Sequence, residues 1–250
     1  MTFQRMLFFI AALVSAGTHA GQDPSDFSIP APAPDAMKSQ QLWATHYFVH
    51  AALSVPNGVP FRDKSGKAIS DGVPPRDWCL AAIEGTVHAG LSGEPRTLNY
   101  GGAGAKVQVD CASVLKINPL TKPWITSTGK SYFTKAIGTY GDGVAGYRLV
   151  PFRTVAVDRK TFPYGTAIFI PKARGVEIEL PSGATAKHDG YFFAGDTGGA
   201  IKGSQIDIFC GITNKNCLPQ FVKSDEGAKF EAVVVTDKAI IERLAKMHKE

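Results

Sequence analysis

The chain has 250 residues, 27 Lys and Arg against 22 Asp and Glu, a formal charge of +5, and 44% apolar residues. That apolar share excludes a disordered chain, and the length allows a sizeable core in one large or two small domains. The mild positive excess comes without a basic run, finger spacing or stacked-aromatic motif, so nucleic acid is not an expected partner.

Residues 1–20 carry Arg5, an apolar run from Met6 to Val14, and small residues ending at Thr18-His19-Ala20. This reads as a signal peptide cut after Ala20, because the apolar run is too short to span a bilayer. No Cys follows the cut, so no lipid anchor is expected, and the mature chain is expected to be periplasmic or secreted. Export makes the four cysteines disulfide candidates rather than a metal site, since no CxxC pair or nearby His supplies ligand spacing. Four cysteines allow three connectivities. Nearness favours Cys210–Cys217, which leaves Cys79–Cys111.

Residues 21–37 hold Pro24, Pro30, Pro32 and Pro34 with few large apolar side chains. Such a stretch reads as an extended linker that cannot bury a core. LWATHYFVHAAL, from Leu42, is rich in aromatic and β-branched residues and reads as a strand. His46 and His50 within it would lie on one strand face about 13 Å apart, too far to share a metal. From Pro56 to Gly129 short strand-like pieces such as GTVHAG and KVQVDC are broken by Gly, Pro and Asn. Asn99 to Lys106 is Gly-rich but lacks phosphate-loop spacing, and reads as a turn or an aromatic-bearing loop at a cleft rim.

Six short, mostly alternating segments follow: Arg153–Asp158, Thr166–Pro171, Val176–Leu180, Tyr191–Gly195, Ile206–Phe209 and Phe230–Val235. Turn signals separate them, which argues a β-barrel or sandwich. A helix closes the chain, with Asp237 as N-cap and Ile240, Ile241, Leu244 and Met247 on one face.

The densest chemical signal is FAGDTGGAIKGSQIDIFCG, Phe193 to Gly211. Gly198, Gly199 and Gly203 let this segment turn sharply and approach a ligand closely. Alternation in QIDIF puts Ile206 and Ile208 on one face, with Gln205, Asp207 and Phe209 on the other. If the Ile face is core, Asp207 faces a site beside apolar surface and near a second carboxylate, which raises its pKa toward a general acid's range. Lys202 would oppose that shift if its ammonium lies close. Asp158 ends a strand, where a carboxylate commonly bonds turn amides.

These blocks resemble the three-aspartate domain, the double-psi β-barrel shared by bacterial cell-wall proteins and the A-type membrane-bound lytic murein transglycosylases. ATHYF (Ala44–Phe48) resembles the opening strand, and STGKSYF (Ser127–Phe133) fits loosely before the aspartates. Ala156–Pro171 carries the first aspartate, Asp158. Ala194–Gly203 and IDIF carry Asp196 and Asp207. The resemblance implies an all-β fold: a six-stranded double-psi barrel from residues 38–52 and 129–250, an inserted small β-rich lobe at 53–128, and the C-terminal helix. It also implies action on peptidoglycan glycan strands, without a cofactor, by a monomer. In the A-type enzymes the aspartate at the position of Asp207 is the single catalytic acid. It protonates the oxygen between N-acetylmuramic acid and N-acetylglucosamine, the muramic C6 hydroxyl attacks to leave an anhydro end, and the same aspartate then acts as base. Asp196 would orient or tune Asp207, and Asp158 would support the site. Thr45, Tyr47, Gly198, Lys202 and Phe209 are the expected sugar contacts.

Three other readings stay open. A single DTG triplet at Asp196–Gly198 would make an aspartic protease only as a homodimer, and leaves the IKGxxID run unexplained. An expansin-like barrel would bind wall polysaccharide without cleaving it. A hydrolase on another glycan would differ in the unmatched residues 53–128.

Overall fold

A computed structural model describes residues 26–33 and 37–249. The expected signal peptide at 1–20 lies outside these residues.

The chain enters as β1 (Met37–Tyr47), then β2 (His50–Ala51), β3 (Val59–Arg62) and β4 (Ala68–Val73). Helix α1 (Pro75–Glu84) follows, then β5 (Thr86–Leu91), β6 (Glu94–Ala103), the short helices α2 (Cys111–Leu115) and α3 (Trp124–Thr128), and β7 (Ser131–Lys135). The remaining elements are β8 (Thr154–Val157), β9 (Ala167–Phe169), β10 (Glu177–Glu179), β11 (Thr185–Lys187), β12 (Tyr191–Asp196), β13 (Gln205–Phe209), β14 (Phe230–Val235) and α4 (Lys238–Met247).

Six strands close into a barrel in the order β1-β13-β8-β12-β9-β14. Two neighbouring pairs are parallel, β1 with β13 and β8 with β12, and the other four are antiparallel. Strand alternation fills the interior with Leu42, Ala44, Val155, Val157, Ile168, Phe192, Ala194, Ile206 and Ile208, all buried. Closure also removes exposed sheet edges. Outside the barrel, α4 packs Leu244 and Met247 on Phe169, Tyr191, Phe193 and Val235. Asp237 caps this helix by accepting the N–H of Ala239 and Ile240, as its sequence position predicts.

A second core lies in the inserted lobe. Phe61, Trp78 and Phe133 form an aromatic cluster beside the Cys79–Cys111 disulfide. The second disulfide joins Cys210 to Cys217. Both pairs are those that sequence proximity favours.

Three expectations need correction. The molecule is mostly β but not all-β: the lobe read as irregular strands contains α1. Pro75 opens that helix, and Gly85, at φ 85°, ends it in the left-handed conformation. The lobe is also larger than residues 53–128. Both β2, expected in the barrel, and β7, which begins at Ser131, belong to the lobe's four-stranded sheet β2-β5-β6-β7. Finally, residues 26–30 of the expected free linker are docked. Ile29 is buried against the barrel, its N–H donates to Asp189, and Phe27 lies 4.2 Å beneath the Arg153 guanidinium. Composition missed this because one isoleucine and one phenylalanine suffice when a buried Arg153–Asp189 ion pair waits to bond the strap's backbone.

Candidate active site

One row across the barrel's outer face assembles the acidic residues. Thr45 on β1 is in register with Asp207 on β13, and Asp207 with Ala156 on β8. The same Ala156 is in register with Asp196 on β12. The two aspartates therefore flank one alanine, with Cα atoms roughly 10 Å apart, two strand spacings. Ala156 leaves open space between them.

A β-bulge makes this row possible. Phe193 pairs with Thr154 and Ala194 with Val155, so regular pairing would set Gly195 opposite Ala156. The register shifts there by one residue, and Asp196 takes that place instead. Asp196 shares strand parity with Ala194, which points into the core. The extra residue turns its carboxyl outward.

β13 follows the expected alternation. Ile206 and Ile208 are in the core, while Gln205 and Asp207 line a cleft of about 920 Å³ between barrel and lobe. The Thr45 hydroxyl donates to Asp207 Oδ1 at 2.6 Å, and Gln205 Nε2 donates to the Thr45 oxygen at 3.3 Å. The Tyr47 hydroxyl donates to Asp196 Oδ2 at 2.7 Å. Each aspartate thus has one hydroxyl donor from β1, and no ion pair among the described residues includes either.

Burial without a cation sets the electrostatics. It pushes Asp207 up to about 6; the Thr45 hydroxyl opposes the rise and the charge of Asp196 adds to it. Burial pushes Asp196 to about 6 as well, against the Tyr47 hydroxyl and the Thr197 N–H. The Tyr47 phenol is raised well above its ordinary value, by burial first and then by Asp196, so it remains a donor. The pair can hold or release a proton near neutral pH, which is what general acid–base catalysis requires.

The other expected residues divide. Gly198 lines the cleft, where an added Cβ would sit 2.9 Å from the Ile201 side chain. Asp158 lies outside the cleft lining. Its two carboxylate oxygens accept the N–H of Lys160 and of Gly203, each at 3.0 Å, tying the end of β8 to the loop before β13. The Gly203 bond, then the Lys160 bond, hold Asp158 below the ordinary carboxylate range. Lys202 is exposed and acts on Asp158, not on Asp207. Phe209 is fully buried, its ring 5.1 Å from that of Tyr47, and forms floor beneath the site. Lys202 and Phe209 are therefore not cleft contacts. Alternation placed Phe209 on the face of Asp207, but loops cover that end of the strand.

The lobe supplies what the sequence reading did not assign. Glu84, at the end of α1, lines the cleft opposite the barrel, with Tyr100 of β6 and Trp124 of α3. Tyr100 does lie at a cleft rim, but on a strand and not a loop. The signal for Glu84 was present in the Pro-Pro start and the Gly85 stop of a ten-residue helix.

Residues 153–218, about a quarter of the chain, match the family model of the 3D domain. That stretch is similar to the 3D domain. Asp158, Asp196 and Asp207 all fall within it. Solved structures similar to most of the chain include E. coli MltA with bound chitohexaose, at 16% identity, covering 78% of this chain and 71% of that one, with a TM-score of 0.48. A membrane-bound lytic murein transglycosylase from Agrobacterium tumefaciens is 14% identical, covering 84% and 79%, with a TM-score of 0.46. MltA from Neisseria gonorrhoeae is 14% identical, covering 79% and 73%, with a TM-score of 0.44. No curated protein matches the sequence.

Proposed function

We propose that this protein cleaves peptidoglycan glycan strands as an exported lytic transglycosylase, with Asp207 as general acid and then base. The observation that carries the reading is the pair of cation-free carboxyls, Asp196 and Asp207, set in one row at the floor of the cleft within the 3D domain. Protonated Asp207 delivers its proton to the oxygen between N-acetylmuramic acid and N-acetylglucosamine. The C6 hydroxyl of the muramic residue bonds to C1, gives its proton to the Asp207 carboxylate now acting as base, and leaves an anhydro end. Asp196, fixed by Tyr47, keeps the Asp207 proton in place by its charge. The barrel is read as double-psi: its strand ring maps onto itself when β1, β8 and β9 exchange with β12, β13 and β14, parallel pairs included.

The test is incubation of the mature protein with purified sacculi and mass analysis of the fragments. Anhydro-muramic ends support the proposal. Reducing ends identify a hydrolase, and binding without release identifies a wall-binding module.

The cleft's aromatic rim fits a polymer of sugar rings. Tyr100 is 46% exposed and Trp124 44%, and both line the cleft. Rings held open to water beside polar groups give sugar rings an apolar face to stack on. Tyr100→Ala and Trp124→Ala are each expected to raise KM about 2- to 12-fold with kcat nearly unchanged, because stacking away from the scissile bond holds ground state and transition state alike. Steady-state kinetics on soluble glycan strands checks this.

A further inference from the structure

Gln205 and Asp207 share one face of β13, and both line the cleft. β1 runs parallel beside them, with Trp43 in register with Gln205 and Thr45 with Asp207. Three side chains on these two strands form a short run of bonds. The Thr45 hydroxyl donates to Asp207 Oδ1 at 2.6 Å, and Gln205 Nε2 donates to the Thr45 oxygen at 3.3 Å. Asp207 is the one acceptor of the Thr45 hydrogen among the described residues. A hydroxyl has a single hydrogen and two lone pairs, so a donor set against its oxygen favours the orientation that sends that hydrogen to the carboxyl. The Gln205 amide is such a donor. No bond among the described residues reaches the other carboxyl oxygen, Asp207 Oδ2.

The charged groups around Asp207 leave the Thr45 bond as its local control. Asp196 of β12 raises Asp207, while the Thr45 hydroxyl holds it down. Tyr47 of β1 donates to Asp196, and β8 brings no titratable side chain. His46 of β1 bonds the Asn214 backbone, and Lys38 begins that strand far from Thr45, in register with Val234 of β14. Lys202, before β13, acts on Asp158. From the lobe side, Glu84 accepts the Phe48 N–H, and Asp142 accepts those of Ile137 and Gly138 and pairs with Arg148.

We propose that Gln205 is a positioning residue: by donating to Thr45 it turns the Thr45 hydrogen onto Asp207 Oδ1 and keeps the acid's proton on Oδ2, free for the substrate. This rests on the transglycosylase reading above. In the step, the bond from C1 to the glycosidic oxygen breaks, its electrons stay on that oxygen, and the oxygen takes the Oδ2 proton. The Thr45 bond is then charge-assisted and steadies the carboxylate. The C6 oxygen bonds to C1 and gives its proton back to Asp207, which resets the acid without consuming water. Gln205 acts only through Thr45 and changes no charge of its own.

Gln205→Met keeps the side chain's reach and removes the donor. The expected result on sacculi is a kcat lower by about 3- to 10-fold with KM within about twofold. The alkaline limb of the pH profile, set by loss of the Asp207 proton, is expected to move to higher pH, because a loosened Thr45 bond no longer holds Asp207 down. Thr45→Val is expected to move that limb further the same way, and Thr45→Ser, which keeps the hydroxyl, to leave it in place. In a Thr45→Val background, Gln205→Met is expected to add less than about twofold, since the hydroxyl it acts through is gone. In the free protein, carbon-13 NMR is expected to show Asp207 titrating at higher pH in Gln205→Met than in wild type. A Gln205→Met protein with wild-type kcat and pH profile overturns the proposal alone. So does a loss that persists undiminished in Thr45→Val, which would make Gln205 a direct sugar contact. Absence of anhydro products from the wild-type protein overturns the proposal together with the reading it rests on.

Discussion

Asp207→Asn is expected to lower the rate of anhydro-muropeptide release by about 10²–10⁴-fold, the usual contribution of a positioned general acid. The same change is expected to stabilise the fold at pH 8. Asn keeps the shape and can still accept the Thr45 hydroxyl, but it carries no charge to bury. The folded pKa of Asp207, about 6, lies above its ordinary value of 3.8. Between those values the folded chain holds more of this proton than the unfolded chain, so stability falls as pH rises through that window. Above it the whole penalty is present, on the order of 1–3 kcal/mol. In thermal unfolding that corresponds to a Tm roughly 2–4 °C higher per kcal/mol in the variant. Near pH 3 the wild-type carboxyl is largely protonated in both states, and the two proteins should melt close together. A variant that is inactive and also less stable at pH 8 would place Asp207 among structural residues, not chemical ones.

Such a trade of stability for chemistry recurs around the cleft. Asp196 and Glu84 are likewise raised by burial and likewise lack a cation. Elsewhere the fold handles buried charge differently. Arg153 is fully buried but forked onto Asp189 by two bonds, with further bonds to backbone carbonyls, and so satisfies most of its donors. The contrast between a paired buried ion and three unpaired carboxyls in one cleft marks the cleft as the place where proton transfer is arranged.

The sequence shows the barrel through alternation. Val155 and Val157, Ile206 and Ile208 point inward as a period of two requires, and the short segments from Arg153 onward became the strands expected of them. It shows the aspartates through their motif, but not their common row. That row depends on a one-residue shift at Gly195, which local alternation conceals because Asp196 has the parity of a core residue. The lobe was harder to read. Its helix α1 buries only Trp78, Cys79 and Ala81, so its apolar stripe is too short to stand out from the strand-like text around it. Glu84 was lost with it, since a carboxylate at a helix end carries no meaning until the fold brings it opposite Asp207. Phe209 shows the reverse error, where the correct strand face was not enough to say which end of that face stays open.

The bulge that sets the row has its own support, and Gly143 is where that support can be broken. The N–H of Val144 donates to the Gly195 carbonyl at 2.9 Å, so residues 143–144 lie directly on the bulge. A Cβ added to Gly143 would sit 2.1 Å from that carbonyl oxygen, a separation that backbone atoms on both sides must relieve by moving. Gly143→Ala is therefore expected to cost about 1–3 kcal/mol as overpacking, with about 1 kcal/mol more if the Val144 bond is lost. Its larger effect falls on chemistry. Displacing Gly195 moves Asp196 relative to Ala156 and Asp207, and a shift near 1 Å in a catalytic group can cost on the order of 10²-fold in rate. Gly146→Ala, three residues before the Leu149-Val150 segment returns to the core, is the matched control. Gly146 has φ 79° but nothing within 4 Å of an added Cβ, so it takes backbone strain of about 1 kcal/mol without touching the bulge. Melting curves and sacculus digestion of both variants separate the two costs. A Gly143→Ala protein that loses stability yet digests sacculi like Gly146→Ala would show that Asp196 does not depend on this register. A rate loss in Gly143→Ala alone would mean that the second aspartate acts only from the row the bulge creates.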